Sequence, residues 1–356
     1  MRIALITRST LFTVPGGDTV QIEQTARQLV AMGVDVDIKR ADEQIEYYKY
    51  DLLHFFNITR PADLLRHSRS GKPFVVSTIL CDYSEYDKHH RKGIGVLFSY
   101  MPDEWVEYAK TMGRFLLGRD KLVSIDYAWK GQRKSIKEIL NRATLILPNS
   151  ASEYERVATT YVCNPKYMVV PNGIDTKTFG QQGNADRDEQ LVLCVARIEG
   201  IKNQVNLIKA LNNTRFQLLL IGSHSPNQVA YYRECRSLAA GNIRFIDHIP
   251  QQQLVSYYQK AKVHILPSWF ETTGLSSIEG AVMGCNIVIT DKGDAKEYFG
   301  ADAFYCDPSS PQSIFNAVER ASAADANETL RNKILQQYTW QQAAKQTLKA
   351  YQQTIV

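Results

Sequence analysis

Val263-His-Ile-Leu-Pro-Ser-Trp-Phe-Glu-Thr-Thr-Gly-Leu-Ser-Ser-Ile-Glu279 opens on an apolar run, crosses a short loop and enters a helical pattern. The run lacks alternation, which suits a strand covered by helices on both faces. Glu271 falls in the loop, a helix is expected from about Gly274 to Met283, and Glu279 lies on that helix. The stretch therefore reads as a strand feeding a helix, half of a βαβ crossover.

The same grammar recurs in both directions. Downstream come the strand-like Asn286-Ile-Val-Ile-Thr290 and Ala303-Phe-Tyr-Cys-Asp307, then a helix over Trp340–Gln353. Upstream, apolar runs at 167–173, 190–196, 216–222 and 242–248 alternate with helical patterns near 203–211, 231–240 and 251–260. The N-terminal part shows runs at 2–7, 34–38, 50–56, 73–79 and 144–149, with helices expected near 20–32, 104–117 and from Lys130. A chain of 356 residues exceeds what one core usually supports. The expectation is α/β, with two Rossmann-like doubly wound parallel-sheet domains. They span 1–172 and 173–339 and face a central cleft, and the helix 340–356 packs back on the first. Polar Gln181–Asp186 reads as a surface loop.

Composition narrows the class. Apolar residues make up 44%, charged 22% and aromatic 10%, the profile of a globular enzyme rather than a disordered chain. Net charge is +5, too mild to argue for nucleic acid. The cluster Lys88-His-His-Arg-Lys92 suits a solvated loop or a contact with an anionic membrane. The six cysteines, at 81, 163, 194, 235, 285 and 306, form no CxxC or CxxH and read as reduced thiols. The start reads as a strand and not as a signal peptide, and no run approaches the ~20 apolar residues that span a bilayer. A cytoplasmic protein is expected, with a peripheral position on the inner membrane face left open.

Several short motifs carry chemistry. A helix start near Gly274 offers free amides and the positive end of a dipole to a phosphate or a sugar hydroxyl. Glu271 and Glu279 are acceptor-only groups, matched to sugar or ribose hydroxyls. Arg197 and Lys202 follow an apolar strand and precede a helix, a forked and a point cation suited to phosphate oxygens. Gly16-Gly17 after the first strand permits close backbone approach. Pro171-Asn-Gly-Ile-Asp175 is a turn at the domain junction. Ser150 and Glu153 have capping-box spacing.

In this order the motifs resemble glycosyltransferase family 4, the group 1 retaining glycosyltransferases of GT-B fold, over nearly the whole chain. The resemblance implies metal-independent transfer of a sugar from a nucleotide-sugar donor, uridine ahead of guanosine, to a hydroxyl of a glycan or lipid-linked acceptor in cell-surface polysaccharide synthesis. No cofactor is implied. Arg197 and Lys202 would grip the diphosphate. Glu279 would take the ribose hydroxyls, and Glu271 would lie by the sugar with Thr273, Gly274, Leu275 and Ser276 near it. Gly16 and Gly17 would approach the diphosphate, and the stretch holding Ile246 and His248 would pass the base.

The family usually places a histidine where Leu80 stands. Asp82 and Tyr83 are the nearest replacements, and His54 is a candidate for the acceptor side. That gap keeps an epimerase of the same shape and an inactive nucleotide-binding paralogue as competing readings. A dinucleotide oxidoreductase would need G-x-G-x-x-G, which does not occur. Asp35-Val-Asp37 has the spelling of a metal-binding DxD but lies in an early strand.

Overall fold

The computed structural model describes residues 1–87, 103–118, 121–180 and 187–355, with the side chains of 103 and 104 left aside. The expected loop Gln181–Asp186 and the cluster Lys88–Lys92 lie outside the described residues. The chain forms two compact units. One takes Met1–Cys81, Ile94–Asn172 and Trp340–Val356, the other Asp82–Gly93 and Gly173–Thr339, each over its described residues.

The first unit holds a five-stranded parallel sheet. Its strands are β1 (Arg2–Thr7), β2 (Asp35–Arg40), β3 (Leu52–Phe56), β4 (Phe74–Ser77) and β5 (Leu145–Ile146), in the order β2-β1-β3-β4-β5. The central strands β1, β3 and β4 are buried almost throughout, as their unbroken apolar runs require. The helix Trp340–Ile355 packs on the helix Gly17–Ala31 and against β3 and β4. Its buried positions Trp340, Ala343, Ala344, Thr347, Ala350 and Tyr351 recur at three- and four-residue spacing, one helical face.

The second unit has a six-stranded parallel sheet in the order β11-β10-β9-β6-β7-β8. The strands are β6 (Asp188–Val195), β7 (Gln217–Ile221), β8 (Ile243–Ile246), β9 (Ala261–Leu266), β10 (Asn286–Thr290) and β11 (Phe304–Cys306). The order runs outward from β6 through β7 to β8, then returns and runs outward again from β9. The sheet therefore switches direction between β6 and β9. Residues 167–173, read as a strand, supply only a bridge from Tyr167 to Ile146. No helix among the described residues is long and apolar enough to cross a membrane.

Candidate active site

In an open parallel sheet, ligands gather beyond the carboxyl ends of the strands where the order reverses. In the second unit that place lies between β6 and β9. The loop leaving β6 carries Arg197 and Lys202, and the loop leaving β9 carries Glu271. Sheet order thus brings together two cations and a carboxylate that lie some seventy positions apart in sequence.

Lys202 and Glu271 form an ion pair through Nζ and Oε1. The Glu271 side chain is 6% exposed and that of Lys202 23%. Burial, the largest influence on Lys202, pulls its pKa down. The charge and hydrogen bond of Glu271 outweigh it, so the ammonium ends above its ordinary value. Ser268 Oγ donates to the same carboxylate oxygen at 2.7 Å. Arg197 is more open and is held by Glu199 at 3.0 Å. Gln204 Nε2 ties down the Arg197 carbonyl at 2.9 Å. Asn203 turns the chain into the helix Gln204–Leu211 with φ of 59°. Its side chain donates to the carbonyls of Pro267 and Pro308 at 3.0 and 2.7 Å.

Two glycines shape the acidic loop. Gly274, at φ 68° and ψ 62°, begins the helix Leu275–Val282 in a left-handed conformation that costs other residues free energy. Gly293, at φ 96°, lies against the backbone of Glu271, where a Cβ would come within 2.2 Å of the Glu271 carbonyl oxygen. The bare Cα allows Asp294 N–H to donate to that carbonyl at 2.8 Å. Thr273 is buried with its hydroxyl 3.3 Å from Tyr298 Oη, while Leu275 and Ser276 are half-buried at the helix start. On the edge strand, Ile246 ends β8, and the exposed His248 donates its N–H to Ser223 Oγ at 3.3 Å.

Glu279 is buried on the same helix. Tyr258 Oη donates to its Oε2 at 2.8 Å and Gln251 Nε2 to its Oε1 at 3.1 Å. Burial pushes its carboxyl from an ordinary 4.5 up to about 7, and the two donors pull against it. A carboxyl raised in the folded state contributes stability fully below its unfolded value and loses it as pH climbs through the folded one. Unliganded protein should therefore lose up to ~3 kcal/mol between about pH 4.5 and pH 7 through this group. Denaturant titrations across that window, set beside those of Glu279→Gln, measure the component. An unchanged pH slope in the variant rejects the assignment.

The first-unit candidates divide. Gly16 and Gly17 sit where β1 passes into the helix Gly17–Ala31. Arg8 braces this loop, pairing with Asp18 at 2.6 Å and donating to the carbonyls of Thr10 and Val14 at 2.8 and 2.7 Å. His54 offers nothing to an acceptor: it is buried, with Nδ1 at 2.7 Å from Tyr351 Oη and Nε2 at 2.9 Å from Ser77 Oγ. Burial lowers its pKa to about 3, so the ring is neutral. The packed reading replaces the acceptor-side one, because strand β3 is covered by the C-terminal helix.

Leu80 is buried, and its N–H donates to Glu153 Oε1 at 2.7 Å. Half of the expected capping box forms, with Ser150 Oγ accepting from Glu153 N–H at 2.9 Å. The Glu153 carboxylate also accepts from Thr78 Oγ1 at 2.5 Å and from Asn149 N–H at 2.7 Å, so it ties the end of β4 to the loop after β5. Asp82 and Tyr83 group with the second unit, and both are exposed. Asp82 Oδ1 accepts from Ser84 N–H at 2.9 Å, a local turn cap. Sequence reading missed Ser268, Tyr258, Gln251 and Gly293. Only Gly293, between a strand end and a helix start, carried a signal that could have marked it.

Residues 175–339 match the family described as "Glycosyl transferases group 1". A D-inositol 3-phosphate glycosyltransferase from Geodermatophilus obscurus is 26% identical over 43% of this chain, and the match spans 39% of that relative's length. Among solved structures, a sucrose-phosphate synthase from Thermosynechococcus elongatus superposes with a TM-score of 0.78 at 17% identity, covering 99% of each chain. The Anabaena protein Alr3699/HepE, solved with UDP and glucose, superposes with a TM-score of 0.71 at 15% identity over 99% of each chain. The chain has the GT-B fold, with two parallel-sheet α/β domains, and it resembles the group 1 glycosyltransferases.

Proposed function

We propose that this chain, whose residues 175–339 form a group 1 glycosyltransferase domain, transfers a sugar from a nucleotide-sugar donor to a hydroxyl acceptor with retention at the anomeric carbon. The observation that carries the reading is the union of Arg197, Lys202 and Glu271 at the reversal point of the second sheet, beside the helix start at Gly274. Phosphate oxygens meet a fork and a point cation there, and the bond to the leaving diphosphate weakens as its charge is stabilised. Glu271 orients Lys202 and lies on the loop where the sugar would sit. Glu279 accepts the ribose hydroxyls, its carboxylate already aimed by Tyr258 and Gln251. A uridine nucleotide is favoured, on the likeness to a protein solved with UDP. The two cations take the part that a metal ion plays in other transferases, so no step uses one.

The acceptor is a glycan or a lipid-linked glycan, and the enzyme works on the cytoplasmic side. An acceptor borne on lipid requires it to reach a membrane surface. Incubating purified protein with a panel of nucleotide sugars, with and without excess EDTA, tests the reading. Slow donor hydrolysis with retained anomeric configuration and full resistance to the chelator is expected. Isomerised donor would indicate an epimerase, nucleotide binding without turnover an inactive paralogue, and loss restored by Mn²⁺ a metal-dependent transferase.

A further inference from the structure

Three loops of the second unit meet at a single turn. That turn, residues 83–87, groups with the second unit, and the Asp87 N–H closes it by donating to the Tyr83 carbonyl at 2.8 Å. Tyr86 sits on Gly200, which lies between Arg197 and Lys202 in sequence, so closely that a Cβ there would come within 1.7 Å of its Oη. The Glu85 carboxylate forms an ion pair with Lys292 Nζ in the loop after β10. Lys292 is tied to the other two loops as well. Its carbonyl accepts from the Glu271 N–H at 3.2 Å, and its ammonium lies 5.9 Å from the ring centre of the buried Trp269. The Trp269 N–H in turn donates to the Ile201 carbonyl at 2.9 Å.

Arg197, Lys202 and Lys292 are each balanced by a carboxylate, but not in the same way. Glu199 and Glu271, the partners of Arg197 and Lys202, come from the loops that build the site. Glu85 comes from 207 positions away in sequence. Its pair with Lys292 is open, the two side chains being 42% and 33% exposed, and pairs of that kind are weakly held. Asp291, next to Lys292, is engaged with Lys296. Tyr86 anchors the turn, so Glu85 can release Lys292 by rotating its side chain alone.

We propose that Lys292 recognises an anionic substituent, a carboxylate or a phosphate, on a sugar bound at this site, and that Glu85 holds the place of that anion in ligand-free protein. The proposal rests on the nucleotide-sugar reading above. A nucleoside diphosphate is already matched by Arg197 and Lys202, which leaves the third cation for a further negative charge. The loop of Glu271, where the sugar would sit, is hydrogen-bonded to Lys292 itself. A neutral sugar offers the ammonium nothing better than Glu85, whereas an anionic one replaces that pair with a charge-assisted bond of its own. A lysine so placed discriminates between substrates by their charge.

The test is calorimetry of the full chain with UDP, UDP-glucose and UDP-glucuronate, and with GDP, GDP-mannose and GDP-mannuronate. A second arm, saturation-transfer NMR on nucleotide-saturated protein, sets methyl glucuronide and glucose 6-phosphate against methyl glucoside. A preference of about tenfold for the charged sugar is expected in one arm. In the first arm it places the anion on the donor sugar, in the second on the acceptor. Lys292→Met should bring the preference close to parity, and Glu85→Gln, which frees the ammonium, should raise it several-fold. A merely structural fault would weaken charged and neutral sugars alike and leave their ratio unmoved. Three results overturn the proposal: no preference in either arm, a preference that survives Lys292→Met, or a loss in Lys292→Met as large for the bare diphosphate as for the charged sugar. If no nucleoside diphosphate binds at all, the nucleotide-sugar reading fails and takes this proposal with it, whereas nucleotide binding without the preference refutes this proposal alone.

Discussion

Arg197→Ala and Lys202→Ala are each expected to lower turnover by ~10²–10³-fold, the ~2.7–4 kcal/mol that one donor to developing negative charge contributes. The two substitutions separate chemistry from folding. Arg197 is half exposed, and its guanidinium pairs with Glu199. Its variant should melt close to the parent while turnover collapses. Lys202 neutralises the buried Glu271, so its loss also strands a carboxylate in a dry site and should cost stability. Steady-state rates with a saturating donor, beside thermal melts of both variants, read the two effects. If both variants keep turnover within twofold of the parent, the phosphate grip lies elsewhere.

Glu153→Ala should be the most destabilising change in the first unit. The carboxylate is fully buried and accepts from Thr78, the Leu80 amide and the Asn149 amide. Truncation leaves three donors without that acceptor, each worth ~1–3 kcal/mol when buried and unpaired. A loss of ~3 kcal/mol or more in denaturant titrations is expected. Glu153→Gln, which keeps an acceptor oxygen of the same reach, should recover part of it. A truncation costing under ~1 kcal/mol would show that solvent replaces the carboxylate.

Much of the architecture could be read from the chain because parallel strands buried on both faces announce themselves as unbroken apolar runs. Arg2–Thr7 is a strand over the span its sequence suggests, and the helix Gln251–Lys260 matches its pattern end to end. Tyr167–Gly173 is as apolar as several true strands but extends no ladder. Its turn residues Pro171, Asn172 and Gly173 prevail over the valines before them. The helices Pro311–Ala323 and Glu328–Gln337 went unread, since weakly apolar faces rich in alanine and polar residues give little periodic contrast.

At the site, residue types that carry charge were visible, and the groups that aim them were not. Arg197, Lys202 and Glu271 stood out by type and by position after strands. Their union depends on β6 and β9 being neighbours, a fact of sheet order that local sequence does not encode. Tyr258 and Ser268 look like any tyrosine or serine until the fold sets them against Glu279 and Glu271. His54 failed for the complementary reason: its partner Tyr351 lies 297 positions away. A strand-end histidine looks accessible until that helix covers it.

That helix also sets a timetable for biosynthesis. The sheet of the first unit is finished by Ile146, but its covering helix begins at Trp340, after the whole second unit has been translated. At ~5–20 residues per second, the stretch from Ile146 to Trp340 takes about ten to forty seconds, and β3 and β4 wait at least that long for their cover. During that interval the nascent first unit presents His54 and its apolar neighbours bare. The ribosome thus releases the second unit ready to fold while the first is still incomplete, and the unit encoded first is the last to close.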